Sequence, residues 1–297
     1  RISLVVYAGA TGIVLEPTPG DQRARIHAAI DQLGAGGSTN GAAGITLAYQ
    51  MAEQAFIRNG VNRVLLATDG DFNVGTTNFD ELLKLVEDKR RSGVALTTLG
   101  FGQGNYNEQL MEQLADHGNG NYAYIDSLSE AQKVLVRQRD ATLQTIARDV
   151  KVQIEFNPAL VAEYRLVGYE NRLLRREDFA NDKIDAGEIG AGHRVTAIYE
   201  IALAGQGGER IEPLRYGKAV AAPVNRAGEL AHLRLRYKRP QDGMAAASRL
   251  IERPLYPRDI SARWETTSDA FRLSAAVAAF GQLLRGGEYT EGFDYTQ

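Results

Sequence analysis

Residues 64–75 read VLLATDGDFNVG, and this stretch decides the fold. The apolar run over residues 63–68 predicts a strand that ends directly in Thr-Asp-Gly. In open parallel sheets, ligands bind outside the carboxyl ends of the strands, so Asp69 is well placed to hold a hard cation. Asp-Gly is also an ordinary turn dipeptide, and this alternative stays open. Asp71 either accepts a hydrogen bond that supports such a site or is a simple loop carboxylate.

A glycine-rich loop precedes a predicted helix upstream of Asp69, where residues 36–44 read GGSTNGAAG. Such a loop can present the hydroxyls of Ser38 and Thr39, together with backbone N–H groups, to an ion. It is not a phosphate-binding P-loop, because no Gly-Lys-Ser/Thr follows. The structural alternative is a flexible loop in which Ser38 or Thr39 is the helix N-cap.

Strands and helices alternate over residues 1–147, which we expect to form the first domain. Apolar and β-branched runs predict strands at 2–8, 63–68, 94–99 and 121–125, and helical periodicity predicts helices at 21–33, 42–57 and 79–91. The short run 13–15 predicts a hairpin return, and Asn78 and Ser127 are predicted helix N-caps. This alternation indicates an α/β domain whose mostly parallel sheet has helices on both faces.

The pattern changes after residue 147, and residues 148–297 are expected to form a second, β-rich domain. Alternation of apolar and polar residues predicts strands at 150–156, 163–168, 194–203 and 230–237. An antiparallel sheet typically has one face exposed to solvent and one apolar face packed against another layer. We therefore expect these strands to form a β-sandwich. A late helix at about 268–285 places four apolar residues on one stripe, which we expect to pack on the sheet: Leu273, Val277, Phe280 and Leu284.

Charge and cysteine content exclude several classes of protein. Lys plus Arg number 34 and Asp plus Glu 37, giving a net charge of −3, so there is no basic footprint for nucleic acid and no polybasic membrane patch. The absence of cysteine excludes disulfides, thiolate metal sites and a cysteine nucleophile. The apolar run of the late helix is shorter than the roughly 20 residues of a transmembrane helix, so we expect no membrane span in this sequence.

The glycine-rich loop and the Thr-Asp-Gly strand end together resemble the von Willebrand factor type A family. In that family a metal-ion-dependent adhesion site lies on top of a Rossmann-like sheet and draws on three loops. By resemblance, Thr39 matches the second loop and Asp69 the third, and Ser38 and Asp71 are candidates for supporting contacts. The resemblance implies Mg²⁺, or else Mn²⁺ or Ca²⁺, as the ion. It also implies a protein partner whose acidic residue completes the coordination.

The first loop of the family's site, Asp-x-Ser-x-Ser, does not occur in this sequence. Residues 2–8 match the second strand of the family rather than the first, and Arg1 begins inside a strand-like run. We therefore expect an internal fragment, with the first strand and its loop upstream of Arg1. A site with two of its three loops is expected to bind metal weakly or not at all.

A longer series of motifs resembles one bacterial subgroup of the family. The motifs run in this order: ATDGDFNVG at 67–75, TLGFG at 98–102, MEQLAD at 111–116 and GNGNYAYID at 118–126. Members of that subgroup are often envelope lipoproteins that carry the type A domain ahead of a β-rich region of unknown function. The resemblance implies a location in the bacterial envelope or periplasm, with a lipid anchor on a preceding segment.

The sequence is compatible with three functions. The first is a non-enzymatic binding or adhesion module that recognises its partner through the metal ion. The second is a metal-independent structural or assembly protein with a degenerate site. The third is a nucleotide- or metal-dependent hydrolase, against which stand the missing phosphate loop and the absence of Gly-x-Ser-x-Gly. Residues 100–104, GFGQG, invite a dinucleotide interpretation, but Asn105 stands where the fingerprint requires its last glycine.

Overall fold

The computed structural model describes residues 1–34, 36–58, 60–72, 75, 78–102, 106–169, 173–184, 186–211, 228–242, 246–287 and 289–290. The chain forms two compact units. The first comprises Arg1–Asp149, Asp185–His193 and Arg239–Met244, and the second comprises Val150–Ile184, Arg194–Lys238 and Ala245–Gln297. The domain boundary at residue 147 stays a prediction.

The first unit begins with a β-hairpin. Strands β1 (Ile2–Val6) and β2 (Gly12–Thr18) pair antiparallel, which confirms the predicted hairpin return. Helix α1 (Arg23–Asp31) covers one face of the hairpin, where Leu15, Ile26 and Ala29 are buried together.

A parallel three-stranded sheet forms the centre of the first unit. Its strands β3 (Arg63–Thr68), β4 (Ala95–Gly100) and β5 (Tyr122–Tyr124) lie in the order β3-β4-β5, and both pairings are parallel. The mostly parallel sheet predicted for this half is therefore confirmed. All three strands run the same way, so the loops that follow them meet at one edge of the sheet, here called the strand-end edge.

Three helices pack on this sheet. They are α2 (Gly41–Gln54), α3 (Phe79–Arg90) and α4 (Glu108–His117), and each is capped by the side chain of the asparagine before it. Asn78 accepts from the backbone N–H of Glu81, which confirms its predicted capping role. The helices and strands share one core of buried residues: Ile45, Tyr49, Val64, Leu66, Phe72, Leu82, Val86, Val94, Leu96, Leu110 and Leu114.

Residues 128–143 run through three short helical pieces. Helix α5 (Leu128–Gln132) passes into a π-helical turn (Lys133–Arg137) and then into helix α6 (Arg139–Leu143). Ser127 accepts from the N–H of Glu130, so the predicted N-cap is confirmed. Val134 of the π turn is buried against β4 and β5 residues.

The remaining strands are β6 (Thr145–Phe156), β7 (Val161–Val167), β8 (Gly187–Gly190), β9 (Ile198–Leu203), β10 (Ala231–Lys238) and β11 (Arg249–Leu255). One sheet has the order β11-β10-β6-β8, and β7 pairs with β9. The pairs β10–β11 and β7–β9 are antiparallel, which confirms the predicted antiparallel character of this half. Phe156 of β6 packs against the rings of Tyr164 and Tyr199, with centroids 4.6 and 5.6 Å away.

Helix α7 (Asp269–Leu284) corresponds to the late helix predicted at about 268–285. Its apolar stripe does not pack on the sheet as expected: Leu273, Val277, Phe280 and Leu284 are all exposed, and Gln282 is its buried residue. That prediction is wrong because helical periodicity identifies an apolar stripe but not the surface that covers it. Within the described residues, no helix is long and apolar enough to cross a membrane.

Candidate metal-binding edge of the parallel sheet

The loops after β3 and β4 are tied together at the strand-end edge. The backbone N–H of Phe101 donates to the carbonyl of Thr68 over 3.0 Å, and that of Asn107 donates to the carbonyl of Asp69 over 3.1 Å. A Cβ added at Gly102 would lie 3.5 Å from the Cβ of Asp69. The loop after β4 therefore holds the backbone at Thr68 and at Asp69.

The Asp69 side chain also shapes its own turn. Its Oδ1 accepts from the backbone N–H of Asp71 over 3.0 Å, and the Gly70 N–H donates to the Thr68 hydroxyl over 3.2 Å. Gly70 has φ of +79°, which glycine adopts at little cost. The Asp-Gly dipeptide therefore forms a turn, and this turn places a carboxylate at the strand-end edge. Ion binding by Asp69 stays a prediction. The contact between Asp71 and Asp69 uses the Asp71 backbone.

The glycine-rich loop packs on the end of β1. The Gly9 N–H donates to the Ser38 carbonyl over 2.8 Å, Ala8 and Thr39 form a β-bridge, and the Asn40 N–H donates to the Tyr7 carbonyl over 3.2 Å. Ser38 is exposed and Thr39 is half-buried. These bonds fix the backbone that carries both hydroxyls.

Neither Ser38 nor Thr39 caps the following helix, so that alternative is corrected. The N-cap of α2 is Asn40, whose Oδ1 accepts from the Ala43 N–H over 3.2 Å. Ser38, Thr39 and Asn40 are all residue types that favour the N-cap position, and the helix begins after Asn40. Ser38 and Thr39 therefore lie outside the capping interaction.

The Thr39 loop and the Asp69 loop meet through Phe72. The Phe72 ring is buried against the start of α2, and a Cβ added at Gly41 would lie 2.5 Å from it. A Cβ at Gly75 would lie 2.6 Å from the Asn40 Oδ1. The structure thus brings together the two segments that carry the predicted site residues.

Tyr7 is a further residue of this edge that the sequence interpretation missed. Its hydroxyl donates to the Ala67 carbonyl over 2.7 Å and so connects the end of β1 to β3. Burial raises the pKa of Tyr7 to about 12, opposed by its hydrogen bond with Thr68 and helped by the charge of Asp69. Tyr7 therefore stays a neutral hydrogen-bond donor. No sequence motif surrounds Tyr7, so its contact with β3 could not be predicted from the sequence.

The donor set at this edge is one of oxygens, which suits a hard cation. Thr39 supplies a neutral hydroxyl and Asp69 a carboxylate, and both lie in loops that the structure brings together. In the part of the chain that the structure describes, no three or more His, Cys, Asp and Glu residues cluster as a metal site. An ion at this edge would therefore have few protein charges around it and would retain several water ligands.

Two further segments, the dinucleotide-like segment 100–105 and the acidic stretch 181–188, were also considered as binding sites. Gln103, Gly104 and Asn105 of the dinucleotide interpretation lie outside the described residues, as do Asn73 and Val74. Residues 181–188 read NDKIDAGE, an acidic stretch with a glycine in which Lys183 breaks the spacing of a calcium loop. The ammonium groups of Lys151 and Lys238, both buried, donate to the carbonyls of Asn181 and Asp182. Positive charge therefore already lies against this turn, which argues against a calcium loop.

Comparison with known proteins identifies the family. The sequence profile described as "Uncharacterized protein YfbK, C-terminal" matches residues 141–297. The chain belongs to the YfbK family. The profile of the von Willebrand factor type A domain matches residues 1–138, so the first part of this YfbK-family chain is a type A domain, as the sequence resemblance implied.

Two relatives and one solved structure illustrate the match. "Uncharacterized protein YfbK" of Escherichia coli is 51% identical over 298 residues, which is all of this chain and 50% of that protein. "Uncharacterized protein sll0103" of Synechocystis is 31% identical over 131 residues, 44% of this chain and 30% of that protein. The chain thus spans half or less of the length of these relatives. A von Willebrand factor type A structure from Catenulispora acidiphila is 15% identical, covering 89% of this chain and 60% of its own, with a TM-score of 0.46.

Proposed function

We propose that the type A domain of this chain is a non-enzymatic binding module that recognises a protein partner through a divalent cation. Thr39 and Asp69 hold the ion at the strand-end edge, with Ser38 and Asp71 in support. The observation that carries the proposal is the contact of Phe72 with the start of α2, because it joins the Thr39 loop to the Asp69 loop.

The chemistry of these residues favours Mg²⁺, with Mn²⁺ or Ca²⁺ as substitutes. Mg²⁺ takes oxygen ligands and retains several waters, so one hydroxyl and one carboxylate suffice as its ligands from this part of the protein. A single anionic ligand leaves the bound ion positively charged, and the ion then attracts an acidic side chain of the partner. The Asp-x-Ser-x-Ser segment implied by resemblance is absent from residues 1–297, so we expect residues 1–297 alone to bind the ion weakly.

The location of the protein is part of the same proposal. The resemblance to envelope proteins supports placing it in the bacterial envelope or periplasm. Fractionation of cells that express the full-length protein tests this point, and recovery of the protein only from the cytosolic fraction would contradict it.

The decisive experiment for ion binding is electron paramagnetic resonance of Mn²⁺ added to the full-length protein. Wild type is expected to remove free Mn²⁺ signal with a stoichiometry of about one, and Mg²⁺ is expected to compete. Asp69→Asn and Thr39→Val are each expected to weaken binding roughly tenfold or more, the scale seen when a metal site loses a contributing group.

Asp88→Asn is the matched control, because Asp88 is an exposed acid on α3 that pairs with Arg91. It is expected to bind Mn²⁺ like wild type. Equal Mn²⁺ affinity in wild type and Asp69→Asn would overturn the proposal and favour the metal-independent scaffold. Hydrolysis of nucleotides or esters by wild type, lost in Asp69→Asn, would contradict the non-enzymatic assignment.

A further inference from the structure

Tyr7 lies between the two segments that carry the proposed ion ligands and is hydrogen-bonded beside both of them. Its backbone carbonyl accepts from the N–H of Asn40, the residue after Thr39, over 3.2 Å. Its side-chain hydroxyl donates over 2.7 Å to the carbonyl of Ala67, two residues before Asp69. A single residue just after β1 therefore connects the backbone next to one proposed ligand with the backbone next to the other.

The Tyr7 hydroxyl also belongs to a short chain of hydrogen bonds that runs into the Asp69 turn. Burial raises the pKa of Tyr7 to about 12, and a hydrogen bond with Thr68 acts against that rise. A hydrogen bond that lowers the pKa of a phenol stabilises the phenolate, so the Tyr7 oxygen accepts from the Thr68 hydroxyl. The Thr68 oxygen in turn accepts from the N–H of Gly70 over 3.2 Å. The chain thus runs from Gly70 through the hydroxyls of Thr68 and Tyr7 to the Ala67 carbonyl.

Packing holds this chain of hydrogen bonds in place. A Cβ added at Gly44 would lie 2.6 Å from the Tyr7 ring, so the backbone of α2 lies directly against the ring. Thr68 is buried, and Tyr7 packs against the main core of the first unit. Hydrogen bonds in such a low-dielectric setting are strong, and the loss of one partner leaves a buried polar group unsatisfied. Phe72 packs the same two segments together, and the Tyr7 bonds add fixed directions to that contact.

Fixed placement of the ligands matters more for Mg²⁺ than for Ca²⁺. Mg²⁺ requires near-ideal octahedral geometry with oxygens at about 2.0–2.1 Å, whereas Ca²⁺ takes about six to eight oxygens at about 2.3–2.6 Å in flexible arrangements. The Thr39 hydroxyl and the Asp69 carboxylate lie on separate loops, so their separation depends on the contacts that join those loops. Loosening these contacts therefore weakens the binding of Mg²⁺ more than that of Ca²⁺.

We propose that Tyr7 is a positioning residue that sets the preference of the site for Mg²⁺ over Ca²⁺. It acts by holding the Thr39 loop and the Asp69 turn at a fixed separation, without contacting the ion. The inference rests on the proposed function and specifies which cation the site selects and which residue enforces that choice.

The test measures Mn²⁺ binding to the full-length protein by electron paramagnetic resonance, with Mg²⁺ and Ca²⁺ titrated separately as competitors. Tyr7→Phe keeps the ring against α2 and removes the hydroxyl. It is expected to weaken the binding of Mg²⁺ about tenfold and that of Ca²⁺ less than about threefold, so the preference for Mg²⁺ falls. Thr68→Val removes the next hydroxyl of the chain from a residue of similar shape, and we expect the same change in preference.

Amide hydrogen exchange in metal-free buffer measures the hydrogen-bond chain without any ion. In Tyr7→Phe the Thr68 hydroxyl loses its acceptor, so the N–H of Gly70 is expected to exchange at least about threefold faster than in wild type. Unchanged exchange at Gly70 would show that Tyr7 does not hold the Asp69 turn and would overturn the inference.

Tyr49→Phe is the matched control, because Tyr49 is a buried tyrosine of α2 whose hydroxyl makes no hydrogen bond within the described part of the chain. It is expected to bind all three ions like wild type. Equal weakening of Mg²⁺ and Ca²⁺ in Tyr7→Phe, or no weakening of either while Asp69→Asn loses binding, would overturn the inference and leave the proposed function intact. Absence of Mn²⁺ binding by wild type would instead contradict the proposed function, and the inference with it.

Discussion

The two ends of strand β3 carry side chains of opposite charge, Arg63 at its start and Asp69 just past its end. Arg63 donates from Nη1 to the Thr97 hydroxyl over 2.5 Å and from Nη2 to the Thr145 hydroxyl over 3.2 Å. Burial lowers the pKa of Arg63, and the charge of Glu188 opposes that shift. The polar groups at this end of the strand thus serve to join elements of the first unit to one another.

The other end of the strand uses its polar groups differently. Asp69 directs one carboxylate oxygen to the N–H of Asp71, within its own turn. The backbone of the same residue, rather than its side chain, receives the N–H of Asn107. At the start of β3, the Arg63 side chain thus bonds to side chains of other elements. Just past the end of β3, the Asp69 carboxylate bonds only within its own turn among the residues that the structure describes. We expect stability to depend on the first end and ligand binding on the second.

Removal of the Arg63 side chain is expected to have the largest effect on stability. Arg63→Ala removes the guanidinium hydrogen bonds to the Thr97 and Thr145 hydroxyls, and because hydrogen bonds to charged groups contribute about 1.5–3 kcal/mol each, we expect a loss of about 3 kcal/mol. Urea unfolding of the full-length protein measures the change. Arg91→Ala, which removes an exposed pair with Asp88, is the control and is expected to cost less than about 1 kcal/mol. Equal unfolding midpoints for the two variants would show that Arg63 is not a structural cross-link.

The close approach of α2 to the strand-end edge predicts the next effect. A Cβ at Gly44 would lie 2.6 Å from the Tyr7 ring, so Gly44→Ala is expected to destabilise by about 1–2 kcal/mol despite the better helix propensity of alanine. Gly281→Ala in α7 is the control, because nothing lies within 4 Å of its Cβ position. It is expected to stabilise by up to about 1 kcal/mol. Thermal unfolding that shifts the same way in both variants would contradict the packing.

The correction of the helix cap gives a smaller effect. Asn40→Ala removes the acceptor for the Ala43 N–H and is expected to cost about 1 kcal/mol. Ser38→Ala leaves that bond intact, and we expect a change of less than about 0.5 kcal/mol. Chemical denaturation of the two variants compares them directly. A larger loss of unfolding free energy for Ser38→Ala than for Asn40→Ala would indicate that Ser38, and not Asn40, is the N-cap of α2.

The smallest change in stability is expected at Asp69 itself. In Asp69→Asn the side-chain oxygen still accepts from the Asp71 N–H, so unfolding is expected within about 0.5 kcal/mol of wild type in metal-free buffer. Denaturation in the presence of a chelator measures this. Destabilisation as large as that of Arg63→Ala would mean that the two ends of β3 do not differ in role.

The sequence was sufficient for the parallel sheet and for two of the caps. The strand predicted at 63–68 has the bounds of β3, because an unbroken apolar run between turn signals leaves little choice. Asn78 and Ser127 were identified because a glutamate follows each of them three residues later, as in a capping box. Before α2, by contrast, no Glu or Gln stands three residues after Ser38, Thr39 or Asn40, and the sequence did not indicate which residue starts the helix.

The missed features depend on contacts between distant segments. Strand β11 has no buried residue, and its sequence RLIERPL lacks the alternation of apolar and polar residues by which strands are recognised. The contact of Tyr7 with Ala67 links residues 60 positions apart and has no local signal. For the candidate site, the sequence identified the two loops, and the structure adds the Phe72 contact that joins them. Ion binding by Thr39 and Asp69 stays a prediction.

We propose that the strand-end edge holds a divalent ion. A crystal structure of the full-length protein grown with Mn²⁺, with data collected at the manganese absorption edge, tests it most directly. We predict an anomalous peak about 2.0–2.6 Å from the Thr39 hydroxyl oxygen, with the Asp69 carboxylate bound to the ion directly or through one water. A Mn²⁺ peak elsewhere in the protein, or full occupancy of that space by a protein side chain, would contradict it.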